Sequence, residues 1–301
     1  MSNYESLCGY KPDQRAKEEF LASQEMKFFA CATGSGKGKR ALLWQYLLQL
    51  DSGAFSEVQT GYDCTSHGSR NAVDEARAAG IVSGRQLAAW RNRTATEPIY
   101  GARGDSSDGM SPARASRFLR DVGYLPRENH GIVDLSRYNY SIGDRWGGRG
   151  VPPEVQKLCS QQKVGTITLI KSMDDLKDAL FNGYGVHSGQ HAAWQDRPTG
   201  MVHRRAAKPW NHDMHIGGYD DTKQFWPYTV YFIHNSWGDW NVPIQDWPAE
   251  LPPPPPGTIV STEEDAEVCV SSGDCWAISD VDGYPPTDLP DSGSIGLLRK
   301  G

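Results

Sequence analysis

The chain has 301 residues, which is enough for one large domain or for two modest lobes with their own cores. Its 31 basic and 37 acidic residues give a net charge of −6. The densest basic cluster is the short stretch 203–205 (HRR), so a nucleic-acid-binding surface is not expected. The apolar runs are too short for a bilayer span, so a membrane partner is not expected either.

The six cysteines are scattered along the chain and do not resemble the framework of a disulfide-rich secreted domain. The first twenty residues contain no basic segment followed by an apolar one. We therefore expect a protein of a reducing compartment, or one released by lysis, that is not secreted by a signal peptide.

The first part of the chain is predicted to be largely helical. Residues 12–26 read as a short amphipathic helix, and residues 40–50 place Leu and Tyr on one helical stripe. Between them, residues 34–38 (GSGKG) superficially suggest a phosphate-binding loop. Cys31 stands where that loop needs its first glycine and Gly38 where it needs a hydroxyl, so a glycine hinge is the better interpretation.

The segment around Cys64 predicts the start of a helix. After Cys64, small apolar residues recur at helical spacing, and Gly80 supplies a stop signal. A thiol at a helix N-terminus experiences the positive end of the helix dipole, which favours the thiolate. Cys64 is therefore a candidate nucleophile.

The later part of the chain is predicted to be rich in strands. Strands are expected within 184–188, 214–219, 228–234 and 275–279, and the proline run at 252–256 predicts a stiff loop. Helices first and strands later indicate an α+β fold with two lobes.

A nucleophilic cysteine needs a base, and the base needs an acceptor that orients it. Two downstream segments supply candidates: His212 in WNHDMHIGGYDD, and Asn235 in YFIHNSWGDW. The separations are 148 residues from Cys64 to His212 and 23 from His212 to Asn235.

These segments resemble the papain-like cysteine proteases. Residues 235–238 (NSWG) after an apolar strand are similar to the asparagine motif of that family, and His212 followed by an apolar strand is similar to its histidine segment. Cys64 matches the cysteine that opens the central helix, although the family signature Cys-Gly-Ser-Cys-Trp is absent around it. The resemblance covers about residues 55–240.

The resemblance implies a papain-like two-lobed α+β fold, with Cys64 on a helical lobe and the other two residues on a β-rich lobe. It implies that Cys64 is the nucleophile, His212 the general base and Asn235 the residue that orients the imidazole. Gln59 is the implied oxyanion-hole donor, and Trp237 the implied shield of the histidine–asparagine hydrogen bond. No cofactor is implied.

The expected domains are an N-terminal extension, 1–58, packed on a papain-like domain, 59–301, with a Pro-rich insertion at about 240–273. The substrate is expected to be a peptide, isopeptide or cell-wall peptide. His215 competes with His212 for the role of the base, and His67 and His215 are the other candidate binding residues.

Two alternatives use the same residues differently. The segments 64–68 (CTSHG), 97–103 (EPIYGAR) and 109–129 resemble papain-like proteins encoded by bacteriophages, which implies location in a virion or in the host cytoplasm and other virion proteins as partners. Such a chain could be a catalytically inactive structural protein of the particle. The spacing of Cys64, His67, His212 and His215 also fits a zinc-stabilised scaffold.

Overall fold

The computed structural model describes residues 7–23, 33–85 and 89–279. The helices in these residues are α1 (Gln14–Ala22), α2 (Trp44–Leu50), α3 (Cys64–Val82), α4 (Thr96–Gly101), α5 (Pro112–Asp121), α6 (Tyr140–Arg149), α7 (Pro153–Cys159), α8 (Met173–Phe181) and α9 (Glu263–Ser271). The strands are β1 (Arg40–Leu42), β2 (Thr166–Leu169), β3 (Gly185–Gln190), β4 (Ala193–Trp194), β5 (Arg205–Ala206), β6 (His212–Asp220), β7 (Val230–His234), β8 (Thr258–Thr262) and β9 (Cys275–Ser279). Among the described helices, none is long and apolar enough to cross a membrane.

The larger sheet is antiparallel and has the order β2-β9-β3-β6-β7-β8, with β1 also paired to β6. Strand β6 lies between β3 and β7, in the register His215 opposite both His187 and His234. All nine residues of β6 are buried, so the sheet places the first residue of β6, His212, in the interior.

Helix α3 lies in the centre of the molecule, and its residues from Cys64 to Gly80 are all buried. Strand β3 approaches it very closely: a Cβ atom at Gly185 would lie 1.7 Å from the carbonyl oxygen of Ala72. The charged side chains of the helix are accommodated by ion pairs, such as Arg70 with Glu57 at 2.6 Å. The helix is therefore held by close contact with β3 and by buried ion pairs.

Two hydrophobic cores flank this helix. One fills the space between the sheet, α2 and α8, and includes Trp44, Phe232 and Ile259. The other fills the space among α4, α5, α6 and the middle of α3, and includes Tyr100 and Leu119. The predicted two-lobed α+β fold is confirmed.

Two predicted segments differ in the structure. The helix predicted over 40–50 begins as strand β1, because Arg40 pairs with Asp220 at 2.8 Å and the bare backbone of Gly218 lets the strand approach β6. The Pro-rich insertion predicted over 240–273 is shorter: its irregular part ends at Gly257, and β8 and α9 follow. Residues 258–271 pair or pack with the core, which the polar composition of the segment concealed.

The division into 1–58 and 59–301 stays a prediction, and residues 1–6, 24–32, 86–88 and 280–301 lie outside the described residues. Within the described part, β1 joins the sheet and α2 joins the sheet-side core.

Candidate active site

Cys64 is the first residue of α3 and is fully buried. Its Sγ accepts a hydrogen bond from the backbone N–H of Gly9 at 3.3 Å. Burial raises the pKa of the Cys64 thiol and the charge of Asp213 raises it further, whereas the backbone N–H groups of Asp213 and Gly9 lower it. The helix dipole alone predicts a thiolate, but in this closed arrangement desolvation dominates and keeps the sulfur protonated.

His212 and Asn235 form the hydrogen bond that the sequence predicts. The Nε2 atom of His212 lies 2.9 Å from Oδ1 of Asn235, and both side chains are fully buried. An amide oxygen only accepts, so Nε2 carries the proton and Nδ1 has the free lone pair when the ring is neutral. Nδ1 has no hydrogen-bond partner within the described residues, which leaves it available as a base.

Burial also controls the ionisation of His212. It lowers the pKa of the imidazole to about 4, and the hydrogen bond that the ring donates to Asn235 opposes this shift. The ring of Trp237 packs against that of His212 with 4.4 Å between centroids. His212 is therefore neutral at pH 7, the state that a general base requires.

Gln59 connects the segment before α3 to the segment after β7. Its backbone N–H donates to the carbonyl of Ser236 at 2.9 Å, and its side-chain oxygen accepts from the Ser236 hydroxyl at 2.6 Å. The amide nitrogen Nε2 is thereby oriented, and it donates to the carbonyl oxygen of Leu7 at 2.7 Å. The side chain that the resemblance assigns to an oxyanion hole thus already binds a carbonyl oxygen.

The sulfur is covered by residues 7–11, which we call the cover segment. Besides its contacts with Cys64 and Gln59, this segment makes backbone hydrogen bonds on both sides. Gly9 accepts from Met110 N at 2.8 Å, Tyr10 donates to the carbonyl of Asn211 at 2.9 Å, and Lys11 donates to the carbonyl of Met110 at 3.1 Å. The segment is therefore held over the site by backbone hydrogen bonds on both sides.

His67 and His215 are both buried, each beside its own acid. His215 Nε2 lies 2.9 Å from Glu75 Oε2, and His67 Nε2 lies 3.6 Å from Asp63 Oδ2. No group of three or more His, Cys, Asp or Glu side chains within the described residues could hold a metal ion. The zinc alternative therefore has no supporting cluster, and the binding role assigned to the two histidines stays a prediction.

The backbone amides of the glycine-rich loop at 34–38 bind carboxylates of the protein itself. The amides of Gly34 and Gly36 both donate to Asp178 at 2.8 Å, and the amide of Gly38 donates to Asp221 at 2.7 Å. These amides have protein partners already, as the interpretation as a structural turn requires.

A second buried pair adjoins the site, and sequence reasoning missed it. The Oδ2 atom of Asp213, the residue after His212, lies 3.1 Å from Nδ1 of His187. Burial raises the pKa of Asp213 to about 6, and the nearby His187 lowers it. An acid directly before a predicted apolar strand was the available signal, because such a group needs a partner once it is buried.

No protein-family model matches the sequence, and no curated protein matches it. Solved structures do match, and the fold is that of the papain-like cysteine proteases. Xylellain, a cysteine protease from Xylella fastidiosa, is 15% identical with a TM-score of 0.56, over 92% of this chain and 97% of its own. The proform of Amb a 11, a cysteine protease and ragweed pollen allergen, is 14% identical with a TM-score of 0.53, over 95% and 80%.

Proposed function

We propose that this chain is a papain-like cysteine hydrolase that cleaves peptide bonds with Cys64 as nucleophile, His212 as base and Asn235 as the orienting residue. The observation that carries the proposal is the 2.9 Å hydrogen bond from His212 to Asn235, which fixes the tautomer that can accept a proton. The amide of Gln59, bound to a peptide carbonyl, supplies the matching donor.

The proposed reaction has two stages. The proton of the Cys64 thiol passes to Nδ1 of His212, and the sulfur electron pair forms a bond to the substrate carbonyl carbon. The oxygen that gains charge accepts from Gln59 Nε2 and from the Cys64 amide, a contribution of about 3 kcal/mol for each donor. Collapse expels the amine, which takes the proton from His212, and water then hydrolyses the thioester with the same base.

The cover segment must leave before a substrate can bind. In the closed form it supplies a carbonyl to Gln59 and an amide to the sulfur, so it occupies the two positions that a substrate requires. The same segment keeps water from the thiol, which is why the sulfur stays protonated. The closed form is a resting state in this proposal.

Digestion of an unfolded protein by the full chain tests the proposal. Cleavage products are identified by mass spectrometry for the natural chain, for Cys64→Ala and for the matched variant Cys159→Ala, which alters a buried cysteine of the helical lobe. Cleavage by the natural chain and by Cys159→Ala, but not by Cys64→Ala, supports the hydrolase. Absence of cleavage even after the cover segment is disturbed by Gly9→Ala favours the catalytically inactive structural protein instead.

The proposal extends to the setting: the protein works as part of a bacteriophage particle or in the host cytoplasm, beside other virion proteins. The support is the similarity of segments 64–68, 97–103 and 109–129 to phage-encoded papain-like proteins. Mass spectrometry of purified particles, with host proteins as the contamination control, tests the setting. Absence of the chain from particles contradicts the virion role.

A further inference from the structure

The side chain of Tyr10, in the cover segment, fills a pocket formed by other parts of the chain. It is 4% exposed, its hydroxyl donates to Oδ2 of Asp274 at 2.9 Å, and its ring lies 5.2 Å from that of His191. The pocket exists because residue 189 is glycine: a Cβ atom there would lie 2.4 Å from the Tyr10 ring. Gly189 thus forms one wall of the pocket, the ring of His191 forms another, and the carboxyl group of Asp274 lies at its end.

The acid is held in place independently of Tyr10. The backbone N–H of Asp274 donates to the Ser272 hydroxyl at 3.3 Å, and its Oδ1 accepts from the indole of Trp276 at 3.4 Å. Its carbonyl accepts from the N–H of Gly189 at 3.1 Å, which links the acid to the pocket wall. The acceptor would therefore persist in an empty pocket.

The position of the pocket relates it to the reacting atoms. Tyr10 follows Gly9, whose amide contacts the Cys64 sulfur, and the Tyr10 amide donates to the carbonyl of Asn211, the residue before His212. A peptide that replaces the cover segment would find the same backbone acceptor. Its side chain at that point would enter the pocket.

The chemistry of the pocket selects a phenol. A tyrosine hydroxyl satisfies the Asp274 carboxylate, whereas a phenylalanine ring fills the same space and leaves the carboxylate buried without that donor. The adjoining position admits only a small residue, since a Cβ at Gly9 would lie 1.8 Å from the Tyr62 carbonyl oxygen.

We propose that the pocket formed by Gly189, His191 and Asp274 binds a tyrosine side chain of the substrate peptide, next to a small residue at the sulfur. Asp274 is the specificity-determining residue because it accepts the hydroxyl. The role in catalysis rests on the proposed hydrolase, but the recognition of tyrosine does not require turnover.

Binding to a full-length chain that carries Cys64→Ala and Tyr10→Ala tests the pocket without turnover. The probes are acetyl-Gly-Tyr-Lys-amide and acetyl-Gly-Phe-Lys-amide, titrated by calorimetry. The tyrosine peptide is expected to bind about tenfold more tightly or better, because it alone donates to a buried carboxylate. Adding Asp274→Asn, with folding checked by circular dichroism, is expected to remove most of that preference.

Two controls complete the test. Cys64→Ala with Tyr10→Phe keeps a ring in the pocket and is expected to bind neither peptide there. Equal affinities for the two peptides, or no binding to the emptied pocket, overturn the inference.

Cleavage-site mapping with the natural chain and Gly9→Ala separates this inference from the hydrolase. Enrichment of tyrosine within two residues of the cleaved bonds supports both. Cleavage without tyrosine enrichment overturns the specificity and leaves the hydrolase. Tyrosine-selective binding without any cleavage overturns the hydrolase and leaves a peptide-binding pocket.

Discussion

The candidate site has two ends that are in different states: His212 with Asn235, the histidine end, and Cys64, the cysteine end. His212 already has its Asn235 hydrogen bond and its Trp237 neighbour, so that end needs no rearrangement for catalysis. Cys64 is protonated, buried and bonded to the amide of Gly9, so that end is closed. For the proposed hydrolase, the difference predicts that access to the sulfur, rather than assembly of the base, controls activity.

The largest expected effect is the loss of the nucleophile. Cys64→Ala removes the atom that forms the covalent intermediate, so hydrolysis is expected to fall by about 10⁴-fold or more. Peptide cleavage measured beside Cys159→Ala checks this. Hydrolysis by the Cys64→Ala variant would show that another residue is the nucleophile.

A smaller loss is expected at the histidine end. Asn235→Ala leaves the base in place but frees its ring to turn, and misplacement of a reacting group costs about 10²-fold. The matched variant is Asn241→Ala, which removes a buried asparagine bonded to His203 and to the Thr258 carbonyl. Rates of cleavage and thermal unfolding of both variants distinguish an orienting role from a structural one; equal losses in rate would contradict the orienting role.

Opening the cysteine end should increase reactivity. In Gly9→Ala the new Cβ collides with the Tyr62 carbonyl, so the cover segment is displaced and Cys64 is expected to react with iodoacetamide at least about tenfold faster, the equivalent of a 1.4 kcal/mol shift in the closed state. Peptide mapping measures the rate at each cysteine. The control is Gly148→Ala, where the nearest side-chain atom is 3.1 Å away, and an unchanged Cys64 rate in Gly9→Ala would show that the segment is not a barrier.

The smallest expected effect is on the pH dependence of Cys64 alkylation. Because the thiolate reacts and the pKa of Cys64 is raised in the closed form, alkylation of the natural chain is expected to rise through pH 7–10 by about tenfold per unit. Hydration in Gly9→Ala lowers the pKa of the thiol, so its profile should level off at a lower pH. Coincident profiles would contradict desolvation as the cause.

Much of the fold and the histidine end could be predicted because their signals are local. The strands from 184 to 234 have clear apolar runs, and residues 235–238 follow one of them directly. Helix α3 was predicted to start at Cys64 from the small residues that follow, and it does. Strand β1 was missed because three residues beside a helix give no periodic signal and only their pairing with β6 makes them a strand.

The cover segment could not be predicted for a different reason. Gly9 contacts Cys64 across 55 positions of sequence, and it does so through its backbone amide. A contact made through a backbone amide does not depend on a particular side chain, so no sequence pattern predicts it. Burial of the sulfur follows from that contact and raises the pKa of the thiol, so neither could be predicted from the sequence.

Gln59 and Ser236 are joined by two hydrogen bonds, one between backbones and one between side chains. One partner precedes the nucleophile by a few residues and the other directly follows the residue that orients the base. This pair therefore holds together the two chain segments that carry the reacting groups of the proposed hydrolase. A substrate of the proposed hydrolase would therefore meet a preset spacing between these two segments.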